Sequence, residues 1–149
     1  MNGRVAGALA LIALAAGAWR ARAPELAAPA AANGGSVITH DSLVAKRQPG
    51  PHGGGGETTA YDFFATVDRM PLVFRKRALH PGSAIGHHPQ KEDEVYYVLS
   101  GEGEFILDGA VHRVGPGTAM LTRAGSSHAI RPIGRADLVL LIAYPNEQR

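Results

Sequence analysis

Between Leu72 and Tyr144 the chain falls into seven short runs of mostly apolar and β-branched residues, none longer than nine. They are Leu72–His80, Val95–Leu99, Glu104–Leu107, Ala110–Val114, Thr118–Thr122, Ala129–Arg131 and Leu138–Tyr144, separated by turns rich in Gly, Pro and Ser. Runs of that length read as strands, and no convincing helical period appears after residue 32. Asp108-Gly109 between two runs is a strong two-residue hairpin signal, because both turn positions need positive φ. Evenly spaced short strands with Gly-rich turns predict an all-β sandwich or barrel. No segment recurs, which predicts one domain over residues 61–149.

The first 32 residues read differently. A basic start, Met1–Arg4, precedes the uncharged run Val5–Trp19 of 15 residues, and small residues with A-x-A spacing continue to Ala32. That order is the signature of a secretory signal peptide. The run is short for an uncleaved anchor, which needs about 20 apolar residues. The expectation is an exported chain, periplasmic or secreted, with a mature start near Asn33. Removing Arg4, Arg20, Arg22 and Glu25 turns 15 basic and 13 acidic residues into 12 and 12. A neutral mature domain has no electrostatic footprint for nucleic acid and no membrane role once the leader is removed. The absence of cysteine excludes disulfides and thiolate ligands.

Residues 33–60 read as a flexible N-terminal arm. The tract "QPGPHGGGGETT" (Gln48–Thr59) is its most irregular piece, and His52 within it reads as a solvated loop histidine. An arm of this kind is available to add a strand to a neighbouring copy, which predicts a homodimer.

The residues with chemical potential lie in "GHHPQKEDEVYYVLSG", 86–101. On an extended strand alternate residues share a face. His88, Gln90 and Glu94 have one parity and, with a turn between Gln90 and Glu94, all face inward, followed on that face by Tyr96 and Val98, while His87 points the other way. A later stretch, Gly115–Pro132, runs a strand, turns at Gly125-Ser126-Ser127 and delivers His128.

With these residues in place the chain resembles the cupin superfamily. Its first motif, Gly-x5-His-x-His-x(3,4)-Glu-x6-Gly, is matched by Gly82, His88-Pro89-Gln90, Glu94 and Gly101. Its second, Gly-x5-Pro-x-Gly-x2-His-x3-Asn, is matched at Gly117, Gly125 and His128, with Arg123 and Pro132 in place of the usual Pro and Asn. The resemblance covers about residues 72–144 and implies a single antiparallel jelly-roll β-barrel. It further implies that His88, Gln90, Glu94 and His128 converge as ligands to one divalent metal, Fe, Mn, Zn or Ni. Two imidazoles and a carboxylate with open positions suit such ions. The departure is Gln90, a weaker donor than the second histidine of His-x-His.

The expected function is small-molecule recognition at that centre, a sugar or organic acid being the ligand class. An enzyme with this centre is a metal-dependent dioxygenase, isomerase or cyclase, since fold does not choose the reaction. The alternative is a metal-free binding or dimerisation module without catalysis. Glu92, Asp93, Glu102 and Glu104 read as surface acids, and His112 as an exterior histidine. Tyr96 reads equally as ligand contact and as wall. Alternation puts Arg75 and Arg77 on one face and Lys76 with His80 on the other. Whichever set turned inward would make the pocket cationic, but the reading adopted is the charged outer face of an edge strand.

Overall fold

The computed structural model of the protein describes residues 36–147. The leader, 1–32, lies outside the described residues. Ten strands follow a four-residue helix, α1 (Asp41–Val44). They are β1 (Ala45–Pro49), β2 (Glu57–Asp62), β3 (Leu72–Leu79), β4 (Ile85–Pro89), β5 (Glu94–Ser100), β6 (Gly103–Leu107), β7 (Ala110–Val114), β8 (Ala119–Thr122), β9 (Ser127–Pro132) and β10 (Leu138–Pro145). One sheet runs β1-β2-β3-β10-β5-β8 and the other β4-β9-β6-β7, with every pairing antiparallel. This is the expected all-β jelly roll. Among the described residues the ladders form two separate sheets packed face to face, so the jelly roll is not a barrel closed by hydrogen bonds. No helix among the described residues is long and apolar enough to cross a membrane.

The period-2 pattern explains the core. Along β5, Glu94, Tyr96 and Val98 are buried while Val95, Tyr97 and Leu99 are exposed, and Leu138, Leu140 and Ile142 of β10 join the buried side. Phe105 and Ile130 of the smaller sheet meet them to form one apolar cluster. Asp108 and Gly109 both take positive φ, as the β6–β7 hairpin requires. The four motif glycines, Gly82, Gly101, Gly117 and Gly125, also sit at positive φ, each in a turn at a strand end.

The segment read as a loose arm is largely built into the fold. β1 and β2 pair with each other and β2 pairs with β3, placing Thr58 and Ala60 in the interior. The glycine tract between them is a close-packed turn: Gly50 N donates to Gly56 O (3.1 Å), Gly54 N to Pro51 O (3.0 Å), and Ala84 N to Gly55 O (3.4 Å). A Cβ on Gly54 would overlap the Ala84 carbonyl, and one on Gly86 would overlap the carbonyl oxygen of His52. Glycine serves here to let two backbones touch, a use that composition alone cannot separate from flexibility.

The other long connection, Phe63–Pro71, is a run of turns tied to the end of β10. Asn146 donates its backbone N–H to Pro71 O (3.0 Å) and its side-chain amide to Met70 O (3.1 Å).

Gly86→Ala is expected to destabilise the fold by about 1–3 kcal/mol, because the added methyl has backbone rather than a movable side chain in its way. Urea unfolding measures this, and an unchanged midpoint would mean that the 50–56 turn is not docked on β4.

Candidate functional site

The site forms where β4, the turn after it, β5 and β9 meet. His88 of β4 stands directly across from His128 of β9. Its Nδ1 lies 2.8 Å from the Gly86 carbonyl. A carbonyl only accepts, so Nδ1 carries the proton and Nε2 presents its lone pair inward. The next turn is clamped by Gln90 N to Ser126 O (2.8 Å) and Gly125 N to Gln90 O (3.0 Å), which brings the Gln90 side chain over the same point. Glu94 opens β5 opposite Thr122 of β8, and Thr122 Oγ1 lies 2.8 Å from His128 Nδ1. The four residues singled out from the sequence are thus brought together. His87 is exposed and outward, and His112 is exposed on β7, the edge strand of the same sheet farthest from β4.

His88, Glu94 and His128 each present one donor atom, all within 4.8 Å of one another, which is a geometry able to hold a metal ion. The Gln90 side-chain nitrogen sits among them, hydrogen-bonded to Glu94 Oε2, 3.1 Å from His88 Nε2 and 3.4 Å from His128 Nε2. The amide brings two protons to these three acceptors, and the Tyr96 hydroxyl, 3.1 Å from His128 Nε2, brings a third. A cation among those atoms would satisfy all three. Rotating the amide by 180° puts its carbonyl oxygen in the same place as a fourth donor. The residues therefore fit a divalent ion.

Burial sets the protonation states. It pushes the Glu94 carboxyl up to about 7, against hydrogen bonds from Tyr96 and Gln90 that act the other way. It pushes the His128 imidazole down to about 4, and the nearby His88 and His52 rings add to the effect. His128 Nε2 lies 3.4 Å from Glu94 Oε2, but with the imidazole neutral this contact is not an ion pair. Burial also raises the Tyr96 phenol well above its ordinary value, so its hydroxyl stays a donor, 3.1 Å from His128 Nε2. Tyr96 is buried and lines the cavity, so it is both wall and potential ligand contact.

A cavity of about 260 Å³ opens beside the cluster, bounded among others by His52, Arg75, Arg77, Glu94 and Tyr96. Two expectations are corrected here. First, Arg75 and Arg77 face inward, because β3 is an interior strand whose inward residues oppose Leu140 and Ile142 of β10. Arg77 is only 4% exposed; it donates to Thr58 Oγ1 (2.8 Å) and more weakly to Gln48 Oε1 (3.5 Å). Among the described residues it has no carboxylate in ion-pair range. Second, His52 is more than a solvated loop residue: its ring stacks on His88 with centroids 3.5 Å apart and planes 4° apart. Burial and the charges of His88 and Arg77 lower its pKa. The signal that pointed to it was the flanking glycine tract, read as flexibility when it meant close approach.

A family model described as a cupin domain matches residues 76–144. An oxalate-binding protein from Thermotoga maritima is 31% identical over 110 residues, covering 72% of this chain and 91% of that protein. The chain belongs to the cupin family. A solved cupin-fold structure from the same organism, described as a predicted oxalate decarboxylase, matches with TM-score 0.65 and 29% identity over 72% of this chain and 97% of that one. The polyketide cyclase RemF from Streptomyces resistomycificus shares the cupin fold at 24% identity and TM-score 0.60, over 72% of this cupin and 78% of the cyclase.

The opposed shifts of Glu94 and His128 generate a stability test on metal-free protein. Glu94 has its folded value raised from 4.5 to about 7, so its contribution favours the fold at low pH and is lost as pH rises through 7. His128 has its value lowered from 6.5 to about 4, so its contribution is present above 6.5 and lost as pH falls through 4. Between about 4.5 and 6.5 the two slopes oppose each other. Glu94→Gln removes one, so the variant gains stability on wild type as pH rises toward 7, by on the order of 1 kcal/mol per unit. Urea unfolding with chelator from pH 4.5 to 8 checks this. A difference that does not change with pH would show that Glu94 titrates normally.

Proposed function

We propose that this cupin binds a small organic acid at one divalent metal held by His88, Gln90, Glu94 and His128. Arg77 carries the reading: a buried guanidinium without a carboxylate partner, lining the cavity beside the candidate metal ligands. An unpaired buried charge is costly, and a carboxylate from outside would compensate it. The oxalate-binding relative supports the ligand class. A bound metal would supply a positive centre for the acid to coordinate. The protein's own parts do the rest. Arg77 fixes one carboxylate by charge-assisted hydrogen bonds, Tyr96 offers a hydroxyl that keeps its proton, and Ile142 closes the apolar side. His52 and Glu92 stand at the mouth as the proton acceptors outside the ligand set.

Calorimetric titration of oxalate into manganese-loaded protein tests the proposal. Wild type is expected to bind. Arg77→Met keeps its metal but loses affinity by roughly ten- to a hundredfold, the worth of a hydrogen bond to a charged group. His128→Ala loses metal and acid together, and Gln90→His retains metal more tightly. Metal occupancy falls as pH drops below about 7, where Glu94 takes up a proton that competes with the ion. Equal metal content in wild type and His128→Ala, or no acid bound by loaded wild type, would overturn the reading.

We further propose that the mature chain begins near Asn33 outside the cytoplasm and acts as a homodimer. The order of Met1–Ala32 supports export. The outer face of β5 and β8, with Val95, Tyr97, Leu99 and Leu121 exposed, supports pairing there, since β1 and β2 are used within their own chain. N-terminal sequencing and light scattering on protein from its native compartment test both. A chain starting at Met1, or a monomer that Tyr97→Glu leaves unchanged, would count against them.

A further inference from the structure

The inner cavity has a larger neighbour. A second cavity of about 430 Å³ lies under the Phe63–Pro71 segment, and Arg75, Glu92 and Tyr144 line both. We infer that the two form one binding tract, and that the ligand is a monocarboxylate with an apolar, ring-sized tail: the carboxylate at Arg77 and the metal, the tail in the outer chamber. The inference rests on the organic-acid reading above and adds the substrate class.

Size is the first argument. Ligand pockets for drug-sized molecules run about 300–1,000 Å³. The inner cavity, at about 260 Å³, falls below that range, and the two together fall within it. An acid as small as oxalate would use the inner part alone and leave the outer chamber without a purpose in recognition.

The walls are the second argument. The outer chamber is faced by Phe64, Val67 and Met70 from the turn segment and by Phe74 from β3, all half-buried, with the Phe64 and Phe74 rings 6.3 Å apart. Its roof is anchored, since Asn146 holds both Met70 and Pro71 by their carbonyls. The chamber is therefore part of the built fold.

Charge is the third, and it selects the kind of tail. The outer chamber has three carboxylates, Asp62, Glu92 and Glu147, against one guanidinium, Arg75. Arg75 Nε lies 3.2 Å from Asp62 Oδ1, so those two offset each other and the remaining acids set the sign. A second carboxylate on the tail would meet like charge there. The divide between the chambers includes Arg75, whose guanidinium lies 5.5 Å over the Tyr144 ring. Its Nε and Asp62 Oδ1 are both buried without a directed hydrogen bond, so this part of the divide is weakly held and able to adjust to a ligand that passes it.

The test titrates acetate, 3-phenylpropionate, adipate and oxalate into the manganese-loaded full chain. Acetate and 3-phenylpropionate share one head group, so their ratio isolates the tail. Wild type is expected to bind 3-phenylpropionate roughly tenfold or more tighter than acetate, the gain from burying a ring. Adipate, with a charged end, shows no such gain. Val67→Glu and Met70→Glu, each verified as folded by its melting curve, lose the gain while keeping wild-type affinity for acetate and oxalate. If wild type binds oxalate and acetate but shows no preference for 3-phenylpropionate, or if both variants keep the preference, the tail chamber is wrong and the organic-acid reading stands. If loaded wild type binds none of the four acids, the organic-acid reading fails and this inference fails with it.

Discussion

Three proton acceptors meet at one point inside an apolar sandwich, and the arrangement around them follows from that constraint. Donor atoms of half-buried His88 and of buried Glu94 and His128 lie within 4.8 Å of one another and need polar partners. The protein answers with the Gln90 amide and the Tyr96 hydroxyl, which together bring three protons to the three acceptors. It answers again by holding a proton on Glu94 to higher pH than usual and by keeping His128 neutral to lower pH. Both responses remove negative or positive charge from a place that cannot solvate it. A divalent cation would meet the same need in one step, and the three donor atoms are close enough together to hold one.

Holding the acceptors in place takes backbone devices remote from them in sequence. The His88 tautomer depends on the Gly86 carbonyl, and Gly86 depends on having no side chain where the 50–56 turn docks. The same turn lays the His52 ring on His88, closing the outer side of that imidazole. His128 is steadied by Thr122, which faces Glu94 across the β5–β8 ladder. The site thus draws on both sheets and on the glycine-rich turn, and distortion of any one of them would be felt at the ligand atoms.

What was legible in the sequence follows from which physical rules act locally. Strand alternation put Glu94, Tyr96 and Val98 on one face of β5, because a period of two leaves little freedom, while His88 and Gln90 reach the same point from β4 and the turn after it. The Asp108-Gly109 hairpin was legible for the same reason, its turn geometry being written in two residues. Bringing His128 to the same point needed the motif resemblance, since nothing local connects residues 34 to 40 positions apart. The orientation of β3 was not legible. Its two faces, Val73, Arg75, Arg77 and Leu79 against Leu72, Phe74, Lys76 and Ala78, are similar in polarity, and only the partner strands decide between them. The glycine tract was misread because a backbone that must bend freely and one that must be approached closely require the same residue.

The inward turn of β3 gives the pocket its polarity. Arg77 is seated deep, with Thr58 and Gln48 as neutral hydrogen-bond partners, while Arg75 nearer the mouth is matched by Asp62. Had Arg77 a carboxylate of its own, the inner cavity would be electrostatically closed and a ligand acid would have to displace that partner. Its direct partners are a hydroxyl and an amide, so the guanidinium is hydrogen-bonded without a carboxylate in contact, the charge of Asp62 reaching it only from a distance. Farther out, the acids on the walls reverse the sign. The two cavities thus differ in charge, with Arg77 beside Glu94 in the inner one and Asp62, Glu92 and Glu147 with Arg75 around the outer one.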